Sequence, residues 1–264
     1  MIGCVGDDPA GDFLLGQLRS AGVDTNFVTR IAGVPSGAAF VTVASNGENS
    51  IIVASGANAH CDVAQVDRAA DAIRRSQVLV AQLEVPLNAI ERALQIAAAG
   101  PRHTRVVLNA SPPQVLHASW LAQVDVLVVN EHEARILGGL AWDASPSDPA
   151  ALAGGLVDLG ARSVVVTCGA EGAVFGRIRA QGMALTHVPA PRVQPVDTTG
   201  AGDAFAAALA VSLADGRDLA HAVRFAVAVG AAVTTVVGAQ GPISLAQVQS
   251  LLASIPDVLP PAGE

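Results

Sequence analysis

The run Asp197-Thr198-Thr199-Gly200-Ala201-Gly202-Asp203 holds, in consecutive positions, the residue types that handle a phosphate beside a hydroxyl. Gly200, Ala201 and Gly202 leave the backbone free to approach a ligand. The small-residue run 204–210 predicts a helix whose first unpaired N–H groups face that ligand. An anion belongs there. Asp203 falls in the first helical turn, where the positive helix end keeps its carboxylate ionised and able to take a proton beside the anion. These residues point to phosphoryl transfer to an alcohol. The plainer reading is a turn with loop glycines and an acid that complements a helix dipole, and Gly-Ala-Gly-Asp alone does not separate the two.

Two further stretches stand out by their spacing. Asn130-Glu131-His132-Glu133 has N-cap and capping-box spacing at the start of a helix, which accounts for Asn130 and Glu133 structurally. Thr167-Cys168-Gly169-Ala170-Glu171-Gly172 leaves a strand and turns sharply. Its glycines allow backbone to lie along a ligand or, equally, to make an ordinary hairpin turn.

These residues need a scaffold that presents them at strand ends. Apolar β-branched runs at 78–84, 105–109, 124–130 and 163–167 predict strands, and Ala/Leu-rich stretches at 9–21, 63–76, 86–99, 149–159 and 202–214 predict helices. Their alternation predicts an α/β fold with a mostly parallel sheet and helices on both faces. Ligands then gather outside the carboxyl ends of the strands, where Glu84, Asn109, Asn130 and Thr167 stand. Asn46-Gly47, between β-rich runs 38–45 and 50–54, predicts a hairpin. Both of its faces are apolar, so residues 36–56 are expected to be covered by a ligand, another layer or a second subunit.

Composition narrows the function. The formal charge of −8 disfavours a nucleic-acid partner, and no apolar run is long enough to span a bilayer. The first residues lack a signal pattern, so a cytoplasmic protein of one domain, 1–264, is expected. Three cysteines without paired spacing argue against disulfides or zinc, as do six scattered histidines. All fifteen basic residues are Arg. Without Lys there is no Walker-type phosphate loop, and phosphate charge must be met by backbone N–H groups, Arg or a metal. No G-x-G-x-x-G follows a strand, which leaves a dinucleotide-dependent oxidoreductase without its fingerprint.

The run 197–203 resembles, at all seven positions, the signature of the ribokinase-like (PfkB) carbohydrate kinases, and the resemblance extends over nearly the whole chain. It implies that Asp203 is the catalytic base and that the amides of Gly200, Ala201 and Gly202 form the anion hole. Thr167, Gly169 and Gly172 match the family's T-x-G-x-x-G nucleotide loop, so Thr167, Cys168, Gly169, Ala170, Glu171 and Gly172 are implied to meet ATP. Asn130, Gly202, Asp203 and Val227 join them. Glu133 is implied to hold Mg2+ through water. A monovalent cation, K+, is implied on Asp197, Thr199, Val233, Val236, Gly238 and Pro242, where proline replaces a residue with a side-chain oxygen. The hairpin 36–56 corresponds to the lid over the sugar and suggests a homodimer through it. Gly56-Ala57-Asn58-Ala59 and Gln82-Leu83-Glu84-Val85-Pro86-Leu87 look more like ribokinases than fructokinases or nucleoside kinases. Ribose is thus the favoured acceptor, with Glu84 and Asp203 on its hydroxyls; another sugar or nucleoside, or a nucleotide-binding remnant without catalysis, stays open.

The family's opening strand with Asn-x-Asp and its Gly-Gly-Lys-Gly-x-Asn motif have no counterpart, since Met1 falls in what looks like the next strand. A lost core strand forfeits on the order of 10 kcal/mol, against whole-domain stabilities of about 5 to 15 kcal/mol. The expectation is a misplaced start of a longer protein or a marginally stable fragment.

Overall fold

Consecutive valines in three of the strands are buried in succession, which requires cover on both faces of the sheet because neighbouring side chains point to opposite sides. The computed structural model describes residues 1–43, 49–100, 103–139, 148–179 and 182–257. They divide into two compact units, 1–75 with 83–103, and 76–82 with 104 onward.

The first unit opens with β1 (Ile2–Gly6), α1 (Pro9–Ser20) and β2 (Phe27–Ile31), a β-α-β turn whose strands pair in parallel. Asp8 caps α1 through its side chain and Pro9 takes the first helical position, the arrangement a helix start favours. β3 (Ala38–Val43) and β4 (Asn49–Ala54) form a separate antiparallel pair. The expected turn at Asn46-Gly47 lies outside the described residues. Phe40, Ile52 and Val53 are exposed on this pair, at 62%, 65% and 59%. Then come α2 (Val63–Arg68), α3 (Ala70–Arg75) and α4 (Leu87–Ala98). The single helix expected over 63–76 is broken at Ala69, whose φ of −94° and ψ of 3° leave the helical region while the residue stays fully buried. Cys4, Ala57 and Cys61 cluster in this unit's core.

The second unit holds β5 (Val78–Gln82), β6 (Arg105–Asn109), α5 (Ala118–Leu121), β7 (Val126–Asn130), α6 (Glu131–Leu137), α7 (Pro149–Asp158) and β8 (Ser163–Thr167). β9 (Ala173–Arg179), β10 (Gly182–Val188), α8 (Ala201–Ala214), α9 (Leu219–Val233) and α10 (Leu245–Ser254) follow. Its sheet runs β10-β9-β8-β7-β6-β5, parallel from β5 to β8 and antiparallel from β8 to β10. This is the expected α/β class. α8 packs on β5 and β6, and α9 on β9 and β10. Phe205, Leu209, Val223 and Val227 from these helices meet Val107, Val128 and Val165 from the sheet in one core.

Two strand limits differ from the sequence reading. β7 starts at Val126, and β5 ends at Gln82 because β6, its only partner among the described residues, runs out at Asn109, which pairs with Gln82. Glu84 is therefore an exposed residue two places beyond the strand, not its terminus. Among the described residues no helix is long and apolar enough to cross a membrane.

Candidate active site

Gly200 sets the start of α8. Its φ of 77° is left-handed, which favours glycine, and an added Cβ would lie tightly, 3.0 Å from the Ala239 carbonyl oxygen. No side chain caps the helix, and Asp203 sits in its first turn. The Ala201 N–H turns back on the Thr198 carbonyl at 3.2 Å. The amides of Gly202 and Asp203 follow on the same positive end, and a Cβ added at Gly202 meets no protein atom within 4 Å. Asp203 is exposed, and its Oδ1 accepts a hydrogen bond of 2.9 Å from Nε2 of Gln82.

Gly202 also lines a cleft of about 930 Å3 within the second unit. Asn130 and Thr167, at the ends of β7 and β8, line it, as do Gly169, Ala170, Gly172 and Val227. With Ala201, which lines it too, eight of the sequence-predicted residues are thus brought to one cavity of ligand size. The loop 167–172 is a hairpin connection from β8 to β9, closed by the Cys168 N–H on the Gly172 carbonyl at 2.8 Å. Gly172 has φ 95°, and a Cβ there would lie 2.1 Å from the Val188 carbonyl oxygen. The hairpin and a ligand-facing loop are the same object.

Cys168, Glu171, Glu133 and Asp203 are not among the cleft's lining residues. The Cys168 thiol is buried and pushed up to about 11, first by that burial and then by the Glu131 charge, so it stays protonated at neutral pH. Glu133 forms the expected capping box: its Oε2 accepts from the Asn130 N–H and Asn130 Oδ1 from the Glu133 N–H, both at 2.8 Å.

Asp197 ties the signature to the loop after α9. Oδ1 accepts from the Thr199 hydroxyl at 2.7 Å and its N–H at 2.9 Å, and Oδ2 accepts from the Gly238 N–H at 2.8 Å. These bonds, the Thr199 hydroxyl foremost, hold the carboxyl below the usual carboxylate range. The Val196 and Asp197 amides both donate to the Thr234 carbonyl, and Val236 N–H to that of Val233. Asp197, Thr199, Val233, Val236 and Gly238 are joined in one hydrogen-bonded loop pair; Pro242 follows it. Among the described residues no cluster of His, Cys, Asp or Glu suits a metal held by side chains.

Sequence reasoning missed Gln82, Arg135 and Arg192. Both arginines line the cleft. Arg135 lies one helical turn after Glu131, the spacing of an i,i+4 ion pair, yet it forms no salt bridge among the described residues, and its Nε is buried with no hydrogen-bond partner. The signal was the absence of Lys, which leaves Arg the only strongly basic side chain a phosphate can meet.

The family model described as "pfkB family carbohydrate kinase" matches residues 1–246. The chain is 34% identical over 247 residues to a ribokinase of Haemophilus influenzae, covering 93% of this chain and 78% of that protein. It is 37% identical over 242 residues to a deoxyribokinase of Salmonella typhi, covering 91% and 76%. Among solved structures it is similar to an Arabidopsis thaliana ribokinase complexed with ribose and ATP, at 26% identity and a TM-score of 0.77, covering 95% of this chain and 80% of that one. With its signature folded at the start of α8 and a family match over most of its length, the chain belongs to the pfkB family of carbohydrate kinases, phosphotransferases with an alcohol group as acceptor.

Proposed function

We propose that this kinase moves the γ-phosphoryl group of ATP to the 5-hydroxyl of ribose, with Asp203 as the general base. The observation that carries this reading is the exposed Asp203 carboxylate beside the uncapped start of α8, one residue past a cleft wall made by Gly202. ATP lies in the cleft along Thr167 to Gly172, with its base against the buried Val227 and its phosphates toward Asn130 and the 200–202 turn. Arg135 and Arg192 meet charge that no Lys can meet. Asp203 takes the proton of the sugar hydroxyl as the bond to phosphorus forms, and the first-turn amides of α8 stabilise charge on the transferring group. Glu84 contributes to the sugar site. ADP and the sugar phosphate leave together with the proton passed to solvent.

Mg2+ fits a hard carboxylate donor: the capping box uses one Glu133 oxygen and leaves the other for a water of the ion's shell. When bound, the ion neutralises charge on the β- and γ-phosphates. K+ fits the oxygens of Asp197, Thr199, Val233, Val236, Gly238 and Pro242, where one anionic side chain and several carbonyls suit a weakly charged ion. We further read the chain as a single cytoplasmic kinase domain. The pair β3–β4 serves as lid and as contact with a second copy, which would cover the exposed Phe40, Ile52 and Val53.

The likeness to a deoxyribokinase favours 2-deoxyribose as a second acceptor. A coupled ADP-release assay over ribose, 2-deoxyribose, fructose and nucleosides, with and without Mg2+ and K+, tests these points. The reading expects ribose-dependent ADP release that requires Mg2+ and rises with K+. ATP binding with no acceptor-dependent turnover would make the chain a non-catalytic remnant instead.

A further inference from the structure

We infer that Gln82 is a positioning residue for the base, an inference that rests on Asp203 holding that role. Gln82 ends β5, where its backbone pairs with Asn109, and its side chain leaves the sheet to donate to Asp203 Oδ1 across 121 residues of sequence. Among the described residues no other side-chain donor reaches that carboxylate. Both ends of the contact are anchored, one on a sheet strand and one on the first turn of a 14-residue helix. An exposed aspartate without such an anchor distributes over its rotamers. With Oδ1 held by the amide, Oδ2 is left as the oxygen that receives the hydroxyl proton, and its direction is set before the acceptor arrives.

The residue type matters. A guanidinium or ammonium here would form an ion pair that resists protonation of the base, and a second carboxylate would repel it. An aliphatic chain would hold nothing. A neutral amide supplies one donor to the ionised acid without a counter-charge. This is why a polar residue ends an otherwise apolar strand.

The test is a double-mutant cycle with Gln82→Met, which keeps length and removes the donor, and Asp203→Asn. Nucleotide binding measured by calorimetry with ADP shows that each variant is folded. Gln82→Met is expected to lower kcat roughly 10-fold, the order a loosened base gives, with KM for ATP and for the sugar within about 2-fold. Added to Asp203→Asn, it is expected to cost nothing more. An unchanged kcat, losses that multiply, or a change chiefly in the sugar's KM would overturn the inference, the last by making Gln82 a direct sugar contact. If Gln82→Met fails to bind ADP, Gln82→Glu decides by the same cycle, with a deeper loss of kcat expected because two acids then face each other. Full turnover in Asp203→Asn alone would remove the base and this inference together. Loss there with none in Gln82→Met removes the inference only.

Discussion

Gly202 and Gly172 both face the cleft, yet a methyl group added to each meets opposite surroundings. At Gly202 it touches no protein atom and projects from a cleft wall, so Gly202→Ala is expected to keep or slightly raise the melting temperature, as replacing glycine in a helix gains up to about 1 kcal/mol. Its KM for ATP is expected to rise, because the methyl takes ligand space. Gly172→Ala forces a side chain onto a φ of 95° and into the Val188 carbonyl. A stability loss above about 2 kcal/mol is expected in urea titration. Asp197 responds to acid instead. Its folded-state carboxyl titrates below the unfolded value of about 3.9, so its tether is fully present above that value and is lost as pH falls through the lower folded one. Exchange protection of the Gly238 amide is expected to persist at pH 5 and fail in strong acid, and Asp197→Asn is expected to abolish that acid step.

At the scale of elements, α8 does two jobs, presenting Asp203 at its exposed start and filling the core with Phe205, Leu209 and Leu213 further on. Leu209 is fully buried, so Leu209→Ala is expected to cost about 2 to 5 kcal/mol while leaving the site residues in place. Local signals made much of this scaffold legible. Strands 105–109 and 163–167 have their expected limits because each is a short valine run bounded by polar or turn residues. The Asn130 capping box is legible because it lies within four consecutive residues. What escaped is decided by tertiary pairing. β5 stops where β6 stops, which moved the strand end from Glu84 to Gln82 and hid the partner of Asp203. The break at Ala69 has no local mark, since alanine is a good helix former, and it falls at a fully buried residue.

For the molecule as a whole, the family signature was legible in seven adjacent residues, whereas Arg135 and Arg192 were not, because their meeting in one cleft depends on the fold. A Lys-free chain of net charge −8 must place its few cations well. Arg135→Met is accordingly expected to raise KM for ATP by about 10-fold, one charge-assisted hydrogen bond's worth, with sugar KM unchanged in steady-state kinetics. Replacing Phe40 and Ile52 by Asp is expected to shift the sedimentation coefficient from a dimer's to a monomer's. The most direct measurement is the turnover of Asp203→Asn in the presence of saturating ATP and ribose, with ATP affinity measured in parallel. A kcat lower by about 10²- to 10⁴-fold at unchanged ATP affinity is the predicted result; turnover equal to the parent's would contradict the assignment of the base.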